Sequence, residues 1–218
     1  MGSWIDKNTE IYCSFAKTAG NTGCQMMNTA FYYYGLNKIY KSFSVDNIED
    51  AVNSVRALGI KGFAITMPYK IEVLEYVDDM DEATSEIGAS NTVINDNGKL
   101  IAYNTDAYAA RTFLKDYDNQ KELYILGDGG YSKAVAWSAE RNGFDIKKVT
   151  RKNWSDLQSI KSSIIYNCTP VDISNPMLKI DRSNNMINCL VETETGKHLA
   201  KLQASKQFYL YTGMKFPL

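Results

Sequence analysis

A short apolar run, Leu123-Tyr124-Ile125-Leu126, passes directly into Gly127-Asp128-Gly129-Gly130 and then into a helix-forming stretch that reaches about Asn142, with another short run at Lys147 to Thr150. Strand, glycine turn, helix and strand make a βαβ unit. Its crossover joins parallel strands with one hand, so this part of the chain is committed to a parallel sheet with a helix packed on it. Ser163 to Asn167 and Met186 to Val191 read as further strands, and Gly196 to Tyr211 as a closing helix. The glycine turn has two readings at this point: backbone N–H groups brought close to a pyrophosphate at a helix N-terminus, or a tight bend alone.

The first half of the chain alternates in the same way. Ile11 to Phe15 predicts a strand, Cys24 to Tyr34 a helix ended by Gly35, and Ile39 to Phe43 a second strand. Ile48, Ala51, Val52, Val55 and Leu58 have the one-face spacing of an amphipathic helix, with Asp46 placed to cap it and Gly59 to end it. Phe63 to Thr66 is a short strand, and Pro68 ends regular pairing just before Tyr69 and Lys70. Asn91 to Ile94 and Leu100 to Tyr103 flank Asn95-Asp96-Asn97-Gly98, a hairpin signal that sets Asn91 beside Asn104. A helix from Ala107 to about Tyr117 follows, and it is the natural boundary between two lobes in a chain of 218 residues.

Composition narrows the class of partner. Net charge is −1 with no long basic run, so the electrostatic footprint of a nucleic-acid binder is missing and a small-molecule ligand is expected. Cys13, Cys24, Cys168 and Cys189 form no Cys-x-x-Cys pair and His198 is the only histidine, so no metal is expected and a reduced, cytoplasmic setting fits. No apolar run approaches the roughly 18 residues of a membrane span, and Met1 to Asp6 lacks a signal-peptide core. The expectation is an unanchored monomer or homodimer.

The polar residues at the strand ends form a pattern. Thr66 and Lys70 close one apolar run, Ser90-Asn91-Thr92 opens another, and Asn104-Thr105-Asp106 follows a third. A lysine near a carboxylate can exchange a proton with a substrate hydroxyl, while amides and a threonine hold neighbouring hydroxyls. Taken singly, Lys70 reads equally as a surface lysine and Asp106 as a helix cap. The run Gly59 to Lys70, then Ile87 to Thr92, then Asn104 to Asp106, closely resembles the shikimate dehydrogenase family, as do Gly196-x-x-Leu199-x-x-x-Gln203-Ala204, Phe208 and Tyr211-Thr212-Gly213. The likeness is closest to the divergent shikimate dehydrogenase-like branch.

That resemblance implies a fold and a set of roles. The fold is α/β with two lobes: an N-terminal α/β substrate domain over residues 1–104, onto which a helix at 197–218 packs back, and a shortened Rossmann-type NADP-binding domain over 105–196. Lys70 and Asp106 would be the catalytic pair, and Thr66, Asn91 and Gln203 would hold the substrate. Gly127, Gly129, Gly130 and Gly196 would serve the cofactor, with Arg151 and Lys152 at the second turn favouring NADP over NAD because two cations suit a 2′-phosphate. The implied activity is NADP-dependent interconversion of 3-dehydroshikimate and shikimate, or a related polyhydroxy ring acid, in the chorismate route to aromatic amino acids.

Three departures qualify the likeness. The family's Ser-x-Ser-Pro loop, which binds the substrate carboxylate, is replaced by Asn21-Thr22-Gly23-Cys24, leaving Asn21, Thr22 and the backbone at Gly23 as candidate donors. Asp128 puts a carboxylate into the glycine turn. The segment from Arg151 to Gly196 is shorter than in the family. These features keep two alternatives open, a dehydrogenase of quinate or another ring acid, and a non-catalytic ligand-binding relative with a degraded cofactor site.

Overall fold

The structure is a computed structural model that describes residues 5–217; Met1 to Trp4 and Leu218, the ends of the expected substrate domain, lie outside the described residues. The chain divides into two compact units, residues 1–105 with 204–218, and residues 106–203. The sequence reading set the second junction at 197, whereas the structure sets it seven residues later, inside the last helix.

The first unit is built on a six-stranded mixed sheet in the order β2-β1-β3-β5-β6-β4. The strands are β1 (Glu10–Ala16), β2 (Lys38–Ser44), β3 (Gly62–Ile65), β4 (Asp79–Met80), β5 (Thr92–Asp96) and β6 (Lys99–Tyr103). β1 runs parallel to β2 and β3, and β5 runs antiparallel to β3 and β6. Both faces are covered, so β1 buries residues of both parities. Cys13 and Phe15 join a core with Phe63, Ile65, Val93 and Leu100 under α2 (Ile48–Leu58), whereas Tyr12 faces α1 (Thr22–Tyr33) and the end of α6 (Glu194–Thr212) through Met27, Phe31, Phe208 and Tyr211. Gly62 permits this second core to close: a Cβ there would stand 2.7 Å from the Tyr211 ring.

Local chemistry accounts for the ends. Asn47, not Asp46, caps α2, its side chain accepting from the Asp50 N–H at 3.2 Å, while Asp46 pairs with Lys17 at 2.5 Å. Gly59 ends α2 in the left-handed region at φ 63°. Leu58, expected on the apolar face, is 70% exposed because it falls at the edge of the buried arc in the helix's last turn. The β5–β6 hairpin turns through Asn97 and Gly98, both with positive φ, and Asn95 Oδ1 accepts from the Gly98 N–H at 2.7 Å. The short helix α3 (Glu82–Ile87) and strand β4 escaped the sequence reading, being too short to show a period.

The second unit is a four-stranded sheet in the order β10-β9-β7-β8, every pair parallel. Its strands are β7 (Leu123–Leu126), β8 (Ile146–Val149), β9 (Ile164–Asn167) and β10 (Asn185–Asn188). One face packs on α4 (Thr105–Leu114), α5 (Gly130–Arg141) and the start of α6, through Phe113, Leu123, Ile125, Val135, Ile164, Tyr166 and Leu199. Among the described residues, no α-helix lies on the other face. Its crossovers, residues 150–163 and 168–184, carry only 3-10 turns, and Leu157, Ile160 and Ile173 from these segments cover Leu126, Val149 and Ile165. Loop hydrophobics in place of crossover helices thus bury the sheet on both sides.

Candidate active site

In the first unit the polar rim forms where β3 and β6 end and β5 begins. Beyond Ile65, the Thr66 N–H donates to the Phe15 carbonyl at 3.1 Å, and the Tyr69 N–H closes a turn on the Thr66 carbonyl at 3.0 Å. Tyr69 is buried, and its hydroxyl donates to the Val45 carbonyl at 2.7 Å, anchoring the turn that carries half-buried Lys70. The Lys70 carbonyl in turn accepts from the Ser90 N–H at 2.7 Å. The next residue, Asn91, is 3% exposed and binds the start of α4: its Oδ1 accepts from the Thr105 N–H at 2.7 Å and its Nδ2 donates to Thr105 Oγ1 at 2.9 Å. Lys70 and the residue before Asp106 are thus tied to consecutive residues, Ser90 and Asn91. Asp106 lies inside the first turn of α4 rather than capping it, and Asn91, just before β5, supplies the cap.

The loop that departs from the family is the beginning of α1. Asn21 stands at the N-cap without a side-chain capping bond, and Asn21 and Thr22 are exposed. The first-turn N–H groups at Thr22, Gly23 and Cys24 precede the first intrahelical bond, which the Gln25 N–H makes to the Asn21 carbonyl at 3.0 Å. Cys24, in place of the family's proline, is held in the fold, its sulfur 3.2 Å from Ser42 Oγ and accepting from the Ser42 N–H at 3.1 Å. Two bonds of 2.8 Å between the Asn28 amide and the Tyr40 backbone lock α1 to β2.

In the second unit the glycine turn follows β7, between a neighbour reached forward, β8, and one reached backward, β9, which is the switch point where ligands of open α/β sheets collect. Its glycines differ in what they do. Gly127 has φ 108°, and a Cβ there would meet Thr169 at 3.1 Å, so this glycine is required by the fold itself. Gly129 is the N-cap of α5, makes no side-chain cap, and a Cβ on it would project into open space. Gly130 begins the helix. Asp128 points away: its side chain is 69% exposed and its Oδ1 lies 3.9 Å from Lys148 Nζ. Arg151 and Lys152 are exposed just past β8, on a turn stitched by Asn153, whose Oδ1 accepts from the Thr150 N–H at 2.8 Å.

Gly196, expected among the cofactor residues, has a steric requirement of its own. A Cβ there would lie 1.9 Å from the Leu190 carbonyl oxygen, so the missing side chain makes room for the turn that leads into α6. Gln203 is half-buried on α6, the last residue of the second unit. His198 packs edge-on to Phe113 at 5.2 Å. Behind Asp106, the Tyr131 and Tyr166 hydroxyls are 3.0 Å apart; burial above all, reinforced by neighbours including the Asp106 carboxylate, pushes both phenols well above their ordinary range.

Sequence reasoning missed Thr105 and Gln207. Thr105 sits inside a quoted triplet yet received no role. Gln207 interrupts the apolar series Leu199, Ala204, Phe208, Tyr211 on α6, and a polar residue set into a buried stripe is the signal that marks it.

A mixed-sheet unit with a polar rim, and a parallel-sheet unit with a glycine turn at its switch point, define a two-unit α/β dehydrogenase fold whose second unit is of shortened Rossmann type. Residues 22–93 match the substrate binding domain of shikimate dehydrogenase. A shikimate dehydrogenase-like protein of Haemophilus influenzae is 30% identical over 95% of this chain and 92% of its own length, and a shikimate dehydrogenase (NADP(+)) of Methanococcus maripaludis is 32% identical over 87% and 86%. Among solved structures, a shikimate 5-dehydrogenase-like protein superposes with TM-score 0.80 at 28% identity over 97% of this chain and 94% of that one. A shikimate dehydrogenase in complex with NADP+ gives 0.82 at 26% identity over 99% and 94%. The chain belongs to the shikimate dehydrogenase family.

Proposed function

We propose that this chain is an NADP-dependent dehydrogenase of the shikimate dehydrogenase type, interconverting 3-dehydroshikimate and shikimate or a related polyhydroxy ring acid. The observation that carries the reading is the paired stitching of Lys70 to Ser90 and of the Thr105–Asp106 step to Asn91, which sets the backbone of both acid–base candidates from one strand start. Lys70 and Asp106 take up the hydroxyl proton as the ring carbon is oxidised, and return it in reduction. Thr66, Asn91 and Gln203 hold ring hydroxyls. The α1 start, with Asn21 and Thr22 exposed and first-turn N–H groups available, receives the carboxylate in place of the two serines.

The residues of the second unit fit a dinucleotide. Gly129 leaves open space at the N-terminus of a twelve-residue helix, and Asp128 is turned outward, so no carboxylate opposes a pyrophosphate there. Gly127, Gly129 and Gly130 would accommodate the pyrophosphate, and Arg151 with Lys152 the 2′-phosphate. NADP, when bound, supplies or accepts the hydride. A small-molecule substrate and a cytoplasmic setting belong to the same reading, supported by four cysteines with no disulfide; among the described residues, no helix is long and apolar enough to cross a membrane.

The test is oxidation of shikimate and of quinate with NADP+ and NAD+, on the unmodified protein and on Lys70→Ala. Loss of Lys70 should lower kcat by about 10²–10⁴-fold, the usual contribution of a placed acid–base group, while NADP binding persists. Near-normal turnover by the variant would sink the assignment. Preference for quinate would favour the alternative ring acid that the altered Asn21 to Cys24 loop suggests.

A further inference from the structure

We infer that Gln207 is a positioning residue of the substrate site, acting through Thr92 and Thr105 on the amide of Asn91; the inference rests on the role proposed for Asn91. Four side chains form a buried hydrogen-bonded cluster within the first unit: Asn91, Thr92, Thr105 and Gln207 are 3%, 0%, 1% and 3% exposed. Gln207 Nε2 donates to Thr92 Oγ1 at 2.8 Å. Thr92 Oγ1 lies 3.2 Å from Thr105 Oγ1 and 3.3 Å from Asn91 Oδ1, so once it accepts from Gln207 its own hydrogen is directed at one of those two oxygens.

The direction of the cluster follows from one unambiguous donor. The Thr105 backbone N–H can only donate, and it donates to Asn91 Oδ1 at 2.7 Å, which fixes the orientation of the amide. Asn91 Nδ2 then gives one hydrogen to Thr105 Oγ1 at 2.9 Å, and its second hydrogen is the one that the proposed role gives to the ligand. Asn91 therefore presents a donor to its ligand, and the ligand group it recognises is an oxygen lone pair of a ring hydroxyl or of the ketone formed from it. Gln207 works from the far end, feeding donors toward Asn91 Oδ1, which polarises the amide and strengthens the N–H it offers. Because the cluster is shut off from water, nothing replaces the Gln207 donor when it is removed.

The experiment uses full-length Gln207→Met, which keeps bulk and removes the donor, and Thr92→Val, which breaks the same link from the other side. Kinetics are measured with NADP+ on shikimate and on analogues each lacking one ring hydroxyl, with Asn91→Ala as reference. Gln207→Met and Thr92→Val should each lower kcat/KM on shikimate about tenfold with KM for NADP+ unchanged, and Thr92→Ser should restore most of what Thr92→Val loses. On the single deoxy analogue to which Asn91→Ala is insensitive, the deficit of both variants should vanish. A deficit equal on every analogue would reduce Gln207 to a packing residue and overturn the inference while leaving Asn91 in place. Insensitivity of Asn91→Ala on every substrate would instead overturn the role of Asn91, and this inference with it.

Discussion

Gly129→Ala separates a glycine kept for a ligand from one kept for the fold. The backbone at Gly129, φ −91° and ψ −178°, is open to any residue, and the added methyl would meet no atom within 4 Å. Two small effects on stability oppose each other: alanine restricts the unfolded chain, stabilising by about 0.4–1 kcal/mol, and is a poorer N-cap than glycine by an amount of similar size. The melting temperature should therefore move by no more than about 2–4 °C, the shift produced by 1 kcal/mol in a chain of this length. Cofactor binding should respond quite differently. On the proposed cofactor role, a methyl at the N-terminus of α5 would occupy the space through which a pyrophosphate approaches the backbone, and losing one charge-assisted hydrogen bond removes about 1.5–3 kcal/mol, a rise in Kd of roughly 10- to 150-fold. Calorimetric titration with NADP+ beside a thermal melt reads both quantities. Wild-type affinity in Gly129→Ala would refute the reasoning, as would loss of affinity accompanied by loss of stability. Gly127→Ala provides the contrast, since φ 108° and Thr169 at 3.1 Å should destabilise it by about 1–3 kcal/mol with or without cofactor.

Other outcomes follow from the same geometry. Arg151→Ala should weaken NADP by about 1.5–3 kcal/mol and leave NAD nearly unchanged, as read by paired titrations; equal weakening of both would remove the 2′-phosphate role. Serine at Asn21 and Gly23 should recover part of an expected deficit of at least about tenfold in kcat/KM on shikimate relative to relatives with the serine loop, and a Cβ at Gly23 has room, 3.5 Å from the Tyr40 ring. Gly196→Ala should destabilise the protein more than any of these, whatever cofactor is present, because the obstructing atoms are the Leu190 backbone. Burial raises the phenols of Tyr131, Tyr166 and Tyr211 well above their ordinary value of 10.0, so above that pH the native chain binds more protons than the unfolded one. Stability is fully present below pH 10 and should then fall by about 1.4 kcal/mol per pH unit for each phenol, with their tyrosinate absorbance emerging only on unfolding; earlier ionisation in the native state would contradict the burial argument.

The sequence alone determined where strands and helices lie and that they alternate, because burial of one helix face or both strand faces writes itself into local spacing. Val52 and Val55 on α2, the apolar run of β7, and the positive-φ glycines 59 and 98 were legible for that reason. Motif spacing further carried the family and the candidates Lys70, Asn91 and Asp106. Which partner satisfies each polar group was decided only by tertiary structure, since a hydrogen bond between distant residues leaves no period along the chain. Asn47 took the cap assigned to Asp46, Asn91 capped a helix that begins fourteen residues on, and Gly196 made room for Leu190. Gln207 reached Thr92 from the last helix, a contact 115 residues apart in sequence that exists only because α6 returns to the first sheet. The buried cluster around Asn91 is therefore a property of the fold, and its four members acquire a common role only once burial excludes water and forces each to bond another.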